Sequence, residues 1–148
     1  MNESTWKMLD AVIGKEPQPF RDLGDLPNES EIDLAAAQLA CRFCEDYVLF
    51  LKRYGAAFVG SYPIFGLRPI ELMGNLWSVV EFTKWFREDD WPAAKDWYVV
   101  STDGYGGSIG VDSDGRVLVA DPTHGCIDEL APNFEQFLLE WCLKENDD

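Results

Sequence analysis

From Trp97 to Asp121 the chain reads WYVVSTDGYGGSIGVDSDGRVLVAD, three apolar runs separated by two Asp-Gly pairs. Asp-Gly between apolar runs is a strong hairpin signal: Gly supplies a positive φ and Asp bonds its own backbone. The pattern therefore predicts three antiparallel strands, Trp97 to Thr102, Ser108 to Asp112 and Arg116 to Ala120. In the third, Val117 and Val119 alternate with Leu118 and Ala120, so both of its faces are apolar. Such a strand belongs inside a covered sheet. The segments on either side must supply the cover.

Apolar residues at three- and four-residue steps mark the helices. The first is predicted over Ser4 to Ile13, with Ser4 as N-cap, Gly14 as the stop and the Pro-rich stretch Lys15 to Pro27 as loop. A longer pattern starts at Asn28, where Asn28 and Glu31 have capping-box spacing, and runs from Ile32 to Tyr54. That is about twice the usual globular helix, which predicts a break near Cys41 to Cys44 and two helices in sequence. The second would start at Glu45 and Asp46, end with Lys52 and Arg53 and stop at Gly55. Two short strands follow, Ala57 to Val59 and Tyr62 to Phe65, with Pro63 restricting the latter to an edge or a bulge. Leu67 to Leu76 reads as irregular and Trp77 to Arg87 as helix, followed by the charged loop Glu88-Asp89-Asp90-Trp91-Pro92. After Pro-Thr-His-Gly comes an edge strand, Cys126 to Leu130, then a helix capped by Asn133 with Phe134, Phe137, Leu138, Trp141 and Cys142 as its apolar face. The last residues, Glu145 to Asp148, read as a frayed acidic tail.

Composition narrows the function more than the fold. The 148 residues carry 12 basic and 27 acidic side chains, a net charge of −15. That balance disfavours nucleic acid and anionic membrane as partners and suits something basic. The pattern contains neither a membrane-length apolar run nor a signal-peptide pattern, so the expected location is the cytoplasm. Cys41-x-x-Cys44 is half a zinc or redox motif without its second half, and His124 is the sole histidine. Buried thiols and a turn histidine are the expectation, with no metal and no cofactor. Asp112-Ser113-Asp114-Gly115 fails as a calcium loop because its twelfth position is Thr123, not Glu. Asp103-Gly104-Tyr105-Gly106-Gly107 lacks the Lys-Ser/Thr of a phosphate loop. With no nucleophile–base pair in view, no catalytic residue is assigned and no enzyme is expected. What remains is surface: the acidic stretches holding an aromatic, Glu88, Asp89, Asp90 and Trp91 together with Asp103 and Tyr105, are the candidate partner-binding residues.

The order of these features resembles the SUKH superfamily, bacterial immunity proteins related to the yeast cell-wall assembly regulator. The first half is carried by Glu45-Asp46-Tyr47, Phe50-Leu51, Tyr54-Gly55 and Ile64-Phe65-Gly66. Asp103-Gly104-x-Gly106, the Asp112-to-Gly115 turn before Val117, Asp121 and Gly125, and Asn133-Phe134-x-x-Phe137-Leu138 carry the second. The likeness runs from Ile32 to Leu143. Two positions depart from it: Phe43-Cys44 stands where Leu-Pro is usual, and Gly107 where an acidic or polar residue is common. The resemblance implies an α+β fold, a curved, mostly antiparallel sheet with helices packed on one side. It implies one SUKH-like domain over 1–148, with 1–27 an N-terminal helix and loop and 28–148 the core. It further implies a protein that neutralises a cognate toxin, often a basic nuclease or deaminase domain, and it transfers no catalytic residue. The alternatives are a regulatory interaction module without a toxin partner, and an enzyme or metal protein using His124, Cys41 and Cys44.

Overall fold

A computed structural model describes residues 1–15, 26–68, 78–88, 95–104 and 106–144. The hairpin block forms as its pattern requires. Strands β3 (Tyr98–Thr102), β4 (Ser108–Val111), β5 (Val117–Asp121) and β6 (Cys126–Ala131) make one antiparallel sheet in the order β3-β4-β5-β6. Cross-strand partners Tyr98, Val111, Val117 and Ala131 share one face, all buried.

The two central turns are longer than two-residue hairpins, and an aspartate is the reason in each. Asp103 Oδ1 accepts the Gly107 N–H at 2.9 Å, and Asp112 Oδ1 accepts those of Asp114 and Arg116, both at 2.9 Å. Each carboxylate thus closes its own turn: β3 ends at Thr102 as the pattern predicts, and β4 ends at Val111, one residue before Asp112. The same geometry explains Gly107: a Cβ there would meet the Asp103 carboxylate, with Cγ 2.8 Å away.

Helix α1 spans Glu3–Lys15, wider than the pattern predicts. The Asn2 carbonyl accepts from Thr5 and Trp6, so Ser4 lies inside the first turn and is not the cap, and Gly14 lies inside the helix. Helix α2 (Glu29–Gln38) starts at Asn28, whose side chain accepts the Glu31 N–H at 2.9 Å. The reciprocal half of the expected capping box is replaced, since the Glu31 carboxylate takes a bidentate contact from Arg68. The break falls where expected, but no proline or glycine makes it. Ala40 adopts φ +51°, the Cys41 N–H returns to the Ala36 carbonyl and that of Ala40 to Ala37. This is the Schellman stop with alanine in the position glycine usually takes. Helix α3 (Glu45–Tyr54) then begins behind Cys44, whose N–H donates to the Tyr98 hydroxyl at 2.8 Å, and ends at Gly55 (φ +76°).

Strands β1 (Ala57–Val59) and β2 (Tyr62–Ile64) form a separate two-stranded hairpin. Pro63 pairs with Phe58, one step beyond the Val59–Tyr62 pair that closes the two-residue turn, a position that asks for no N–H toward β1. One residue past β2, the Phe65 N–H donates to the Val100 carbonyl at 2.8 Å and joins this hairpin to β3. Val100 is free to accept because β3 bulges between Val99 and Ser101. Helix α4 (Val79–Glu88) is capped by Ser78, whose Oγ accepts the Glu81 N–H at 3.1 Å. Glu88 ends this helix and does not open the loop. Thr83 Oγ1 accepts the Val99 N–H at 2.8 Å, so a helix side chain closes part of the β3 edge.

Helix α5 (Phe134–Phe137), capped by Asn133, runs into a π-helical segment, Leu138–Cys142. The Leu143 N–H reaches back five residues to Leu138 at 2.7 Å. That extra residue per turn rotates Cys142 and Leu143 inward and leaves Trp141 outside, 39% exposed, its indole N–H donating to the Leu130 carbonyl. The expected apolar face is therefore corrected at Trp141.

Helices α3 and α5 cover the Tyr98 face of the sheet. Tyr47 sits at the centre, 5.5 Å from Phe134, 5.4 Å from Phe43 and 5.8 Å from Tyr98 by ring centroids, with its hydroxyl donating to the Phe65 carbonyl at 2.6 Å. Helix α1 adds Leu9 and Ile13 to the same core. Among the described residues no helix is long and apolar enough to cross a membrane. Phe20, Leu23, Trp77 and the tail Glu145 to Asp148 lie outside the described residues.

Candidate partner-binding surface

Helix α4 carries an exposed tryptophan between two carboxylates, and four contacts fix the helix in place. Arg87 donates to the Leu39 carbonyl at 2.6 Å and to the Trp97 carbonyl at 3.2 and 2.9 Å, tying the end of α4 to α2 and to the residue before β3. Phe86 stacks on Trp97 at 5.8 Å and 13°. Thr83 supplies the fourth, through the Val99 N–H. Val79, Val80, Thr83 and Phe86 face inward, which leaves Glu81, Trp85 and Glu88 at i, i+4 and i+7 along the outer ridge. Trp85 is 43% exposed and stands edge-on to Phe82 at 5.3 Å, and Phe82 packs on the buried Phe65 at 5.0 Å. An exposed indole supported from below, with one carboxylate a turn above and another a turn below, is built to receive a cationic group. Lys84, exposed on the same side of α4, is the one cation set among them.

Of the residues the sequence pointed to, Glu88 belongs to this ridge. Asp103 is half-buried at the far end of β3, its carboxylate engaged by Gly107, on the order of 15–20 Å away by strand length. The fold does not bring the two together. Asp89, Asp90, Trp91 and Tyr105 lie outside the described residues. The pattern alone does not mark Trp85 or Glu81, because their helical spacing reads as core and surface respectively; the available signal is that Trp85 lies across the helical wheel from Val79 and Thr83.

The chemistry-bearing residues stand apart from one another. His124 Nδ1 lies 2.7 Å from Asp121 Oδ2 at the exposed β5–β6 turn, which pushes the His124 pKa up and that of Asp121 down. Burial pushes the Cys41 and Cys44 thiols up, the reverse of an activated nucleophile. Among the described residues no three His, Cys, Asp or Glu side chains converge as a metal site. Ion pairing concentrates the negative charge outside. Lys52, Arg53, Arg68 and Arg116 are all engaged by the chain's own carboxylates, Glu29, Asp10, Glu31 and Asp112. Exposed acids such as Asp33, Glu81, Glu88, Asp96, Asp114 and Glu140 stand outside these pairs.

A four-stranded antiparallel sheet joined to a small hairpin and backed by helices defines an α+β domain, and that architecture is shared. Eighteen chains of known structure match it. One is a protein from Pseudomonas syringae pv. tomato, similar at a TM-score of 0.72 and 17% identity, with 97% of this chain and 99% of that one covered. No curated protein sequence matches. The family model of the SMI1-KNR4 cell-wall family matches residues 5–144, wider than the Ile32-to-Leu143 likeness and inclusive of most of α1. The chain belongs to this SUKH-type family.

Proposed function

We propose that this protein is an immunity protein that binds a cognate bacterial toxin domain, itself basic, and neutralises it by occlusion in the cytoplasm. Family membership supports the class, since bacterial SUKH proteins are often immunity proteins and generally non-enzymatic. The observation that carries the surface is Trp85 exposed between Glu81 and Glu88 on a helix locked to the sheet. Its indole supplies residence time, and the surrounding net charge of −15 raises the encounter rate with a cationic partner. Glu88, Asp89, Asp90 and Trp91 continue this surface in sequence, and Asp103 with Tyr105 form a second contact.

The test is co-expression with the toxin domain encoded beside the gene, followed by stopped-flow association at two ionic strengths. Protection of the cells and an on-rate that falls at least tenfold between low and high salt are expected. A chain that binds the toxin domain no faster at low salt refutes the electrostatic mechanism, and a chain that leaves the toxin active refutes the immunity role.

A further inference from the structure

A second feature lies on the face of the sheet opposite Tyr98. There Gly110 leaves room for Trp97, whose Cε3 would stand 2.8 Å from a Cβ at that position. Beside it, toward β5 and β6, opens a depression of about 240 Å³. Trp97, Leu118 and Ile127 provide its apolar side, and Asp96, Asp112 and Asp114 its carboxylates. Arg116 also lines it, but its guanidinium is held by Asp112 at 2.8 and 2.9 Å and lies 3.7 Å from Glu129. Its charge is thereby spent within the turn. Asp112 is equally committed, to two turn amides and to Arg116. Asp96 and Asp114 are exposed; Asp114 adds to the field that raises the Arg116 pKa, but among the described residues no cation comes within ion-pair distance of either.

We infer that this depression receives one arginine side chain of the protein partner, its alkyl stem along Leu118 and Ile127 and its guanidinium between Asp96 and Asp114. The inference rests on the proposed toxin-binding role and names a contact for it on a surface distinct from the α4 ridge. Size argues against a metabolite, since small-molecule pockets run from about 300 to 1,000 Å³. Sign argues against phosphate, and the carboxylates do not converge to hold a bare metal ion. A group that is apolar along its length and cationic at its tip satisfies both the floor and the rim. Arginine fits better than lysine because its planar fork can meet two carboxylates at once and is more weakly hydrated.

The test uses the full chain with N-acetyl-arginine amide at low salt, following the Leu118 and Ile127 methyl and Trp97 indole signals by NMR. Saturable shifts confined to these groups are expected, at least fivefold weaker with the citrulline analogue and in the Asp96→Asn/Asp114→Asn variant. Shifts scattered over the acidic surface, or equal for citrulline, overturn the assignment. Binding to the adjacent toxin domain separates the two levels of inference. The double variant should lose at least tenfold in affinity, mostly through dissociation, against less than threefold for Glu3→Gln/Asp33→Asn. A double variant with full toxin affinity overturns the pocket and leaves the immunity role standing. Saturable arginine binding by a chain that does not protect cells does the reverse.

Discussion

Replacing Ala40 by glycine should stabilise this protein, although the same exchange inside a helix destabilises. Ala40 sits at φ +51°, where a Cβ crowds the following carbonyl at a cost of about 1–2 kcal/mol. Glycine removes that cost but adds about 0.5–1 kcal/mol of unfolded-state entropy. The residue is exposed, so no packing is lost with its methyl group. The net gain is about 0.5–1 kcal/mol, which for a chain of this size raises Tm by about 1–4 °C. The matching control is Gly14→Ala, the opposite exchange. Gly14 lies within α1 with nothing within 4 Å of a built Cβ, so helix propensity alone predicts a gain of up to about 1 kcal/mol. Guanidinium unfolding followed by far-UV circular dichroism measures both. A lowered midpoint for Ala40→Gly would mean that α2 continues past Gln38 and that the Schellman stop is wrong.

Trp85→Ala should weaken partner binding by about 2 kcal/mol, roughly 30-fold in Kd by titration calorimetry, at a stability cost of about 1 kcal/mol from the lost edge contact with Phe82. Gly110→Ala should cost about 1–3 kcal/mol by driving Trp97 off its seat, visible as loss of near-UV dichroism from the Trp97–Phe86 stack; an unchanged spectrum would contradict the contact. Tyr98→Phe strands the Cys44 N–H at the start of α3 and should cost about 1–3 kcal/mol in urea unfolding. The His124 pKa, read from its ring proton signal, should lie above the ordinary 6.5 and fall back toward it in Asp121→Asn. Its raised value means that the pair contributes below pH 6.5 and is lost as pH rises through the folded pKa. The lowered Asp121 value bounds the window on the acid side, since its contribution is lost as pH falls below about 4.

The strand block, both N-caps at Asn28 and Asn133, the Gly55 stop and the α+β class were legible in the chain, because each depends on residues within a few positions of one another. Asp103 was legible as a turn former too, whereas Asp112 read as the end of its strand with Asp114-Gly115 as the turn, and its carboxylate takes the amides of Asp114 and Arg116. The break after α2 was visible from length alone. Its mechanism was hidden, because alanine carries no sign that it will accept a left-handed conformation. The inward rotation of Cys142 past Trp141 was hidden as well, since a π-turn preserves local hydrophobicity while changing which residue meets Tyr98's side of the sheet. The bulge at Val100 exists to meet Phe65, a partner that no local pattern names. Sequence by itself therefore determined the elements, their turns and the sign of the surface charge. Tertiary structure decided which charges remain unspent after pairing, which tryptophan is left outside, and where a depression opens beside Trp97, because each depends on groups brought together from distant parts of the chain.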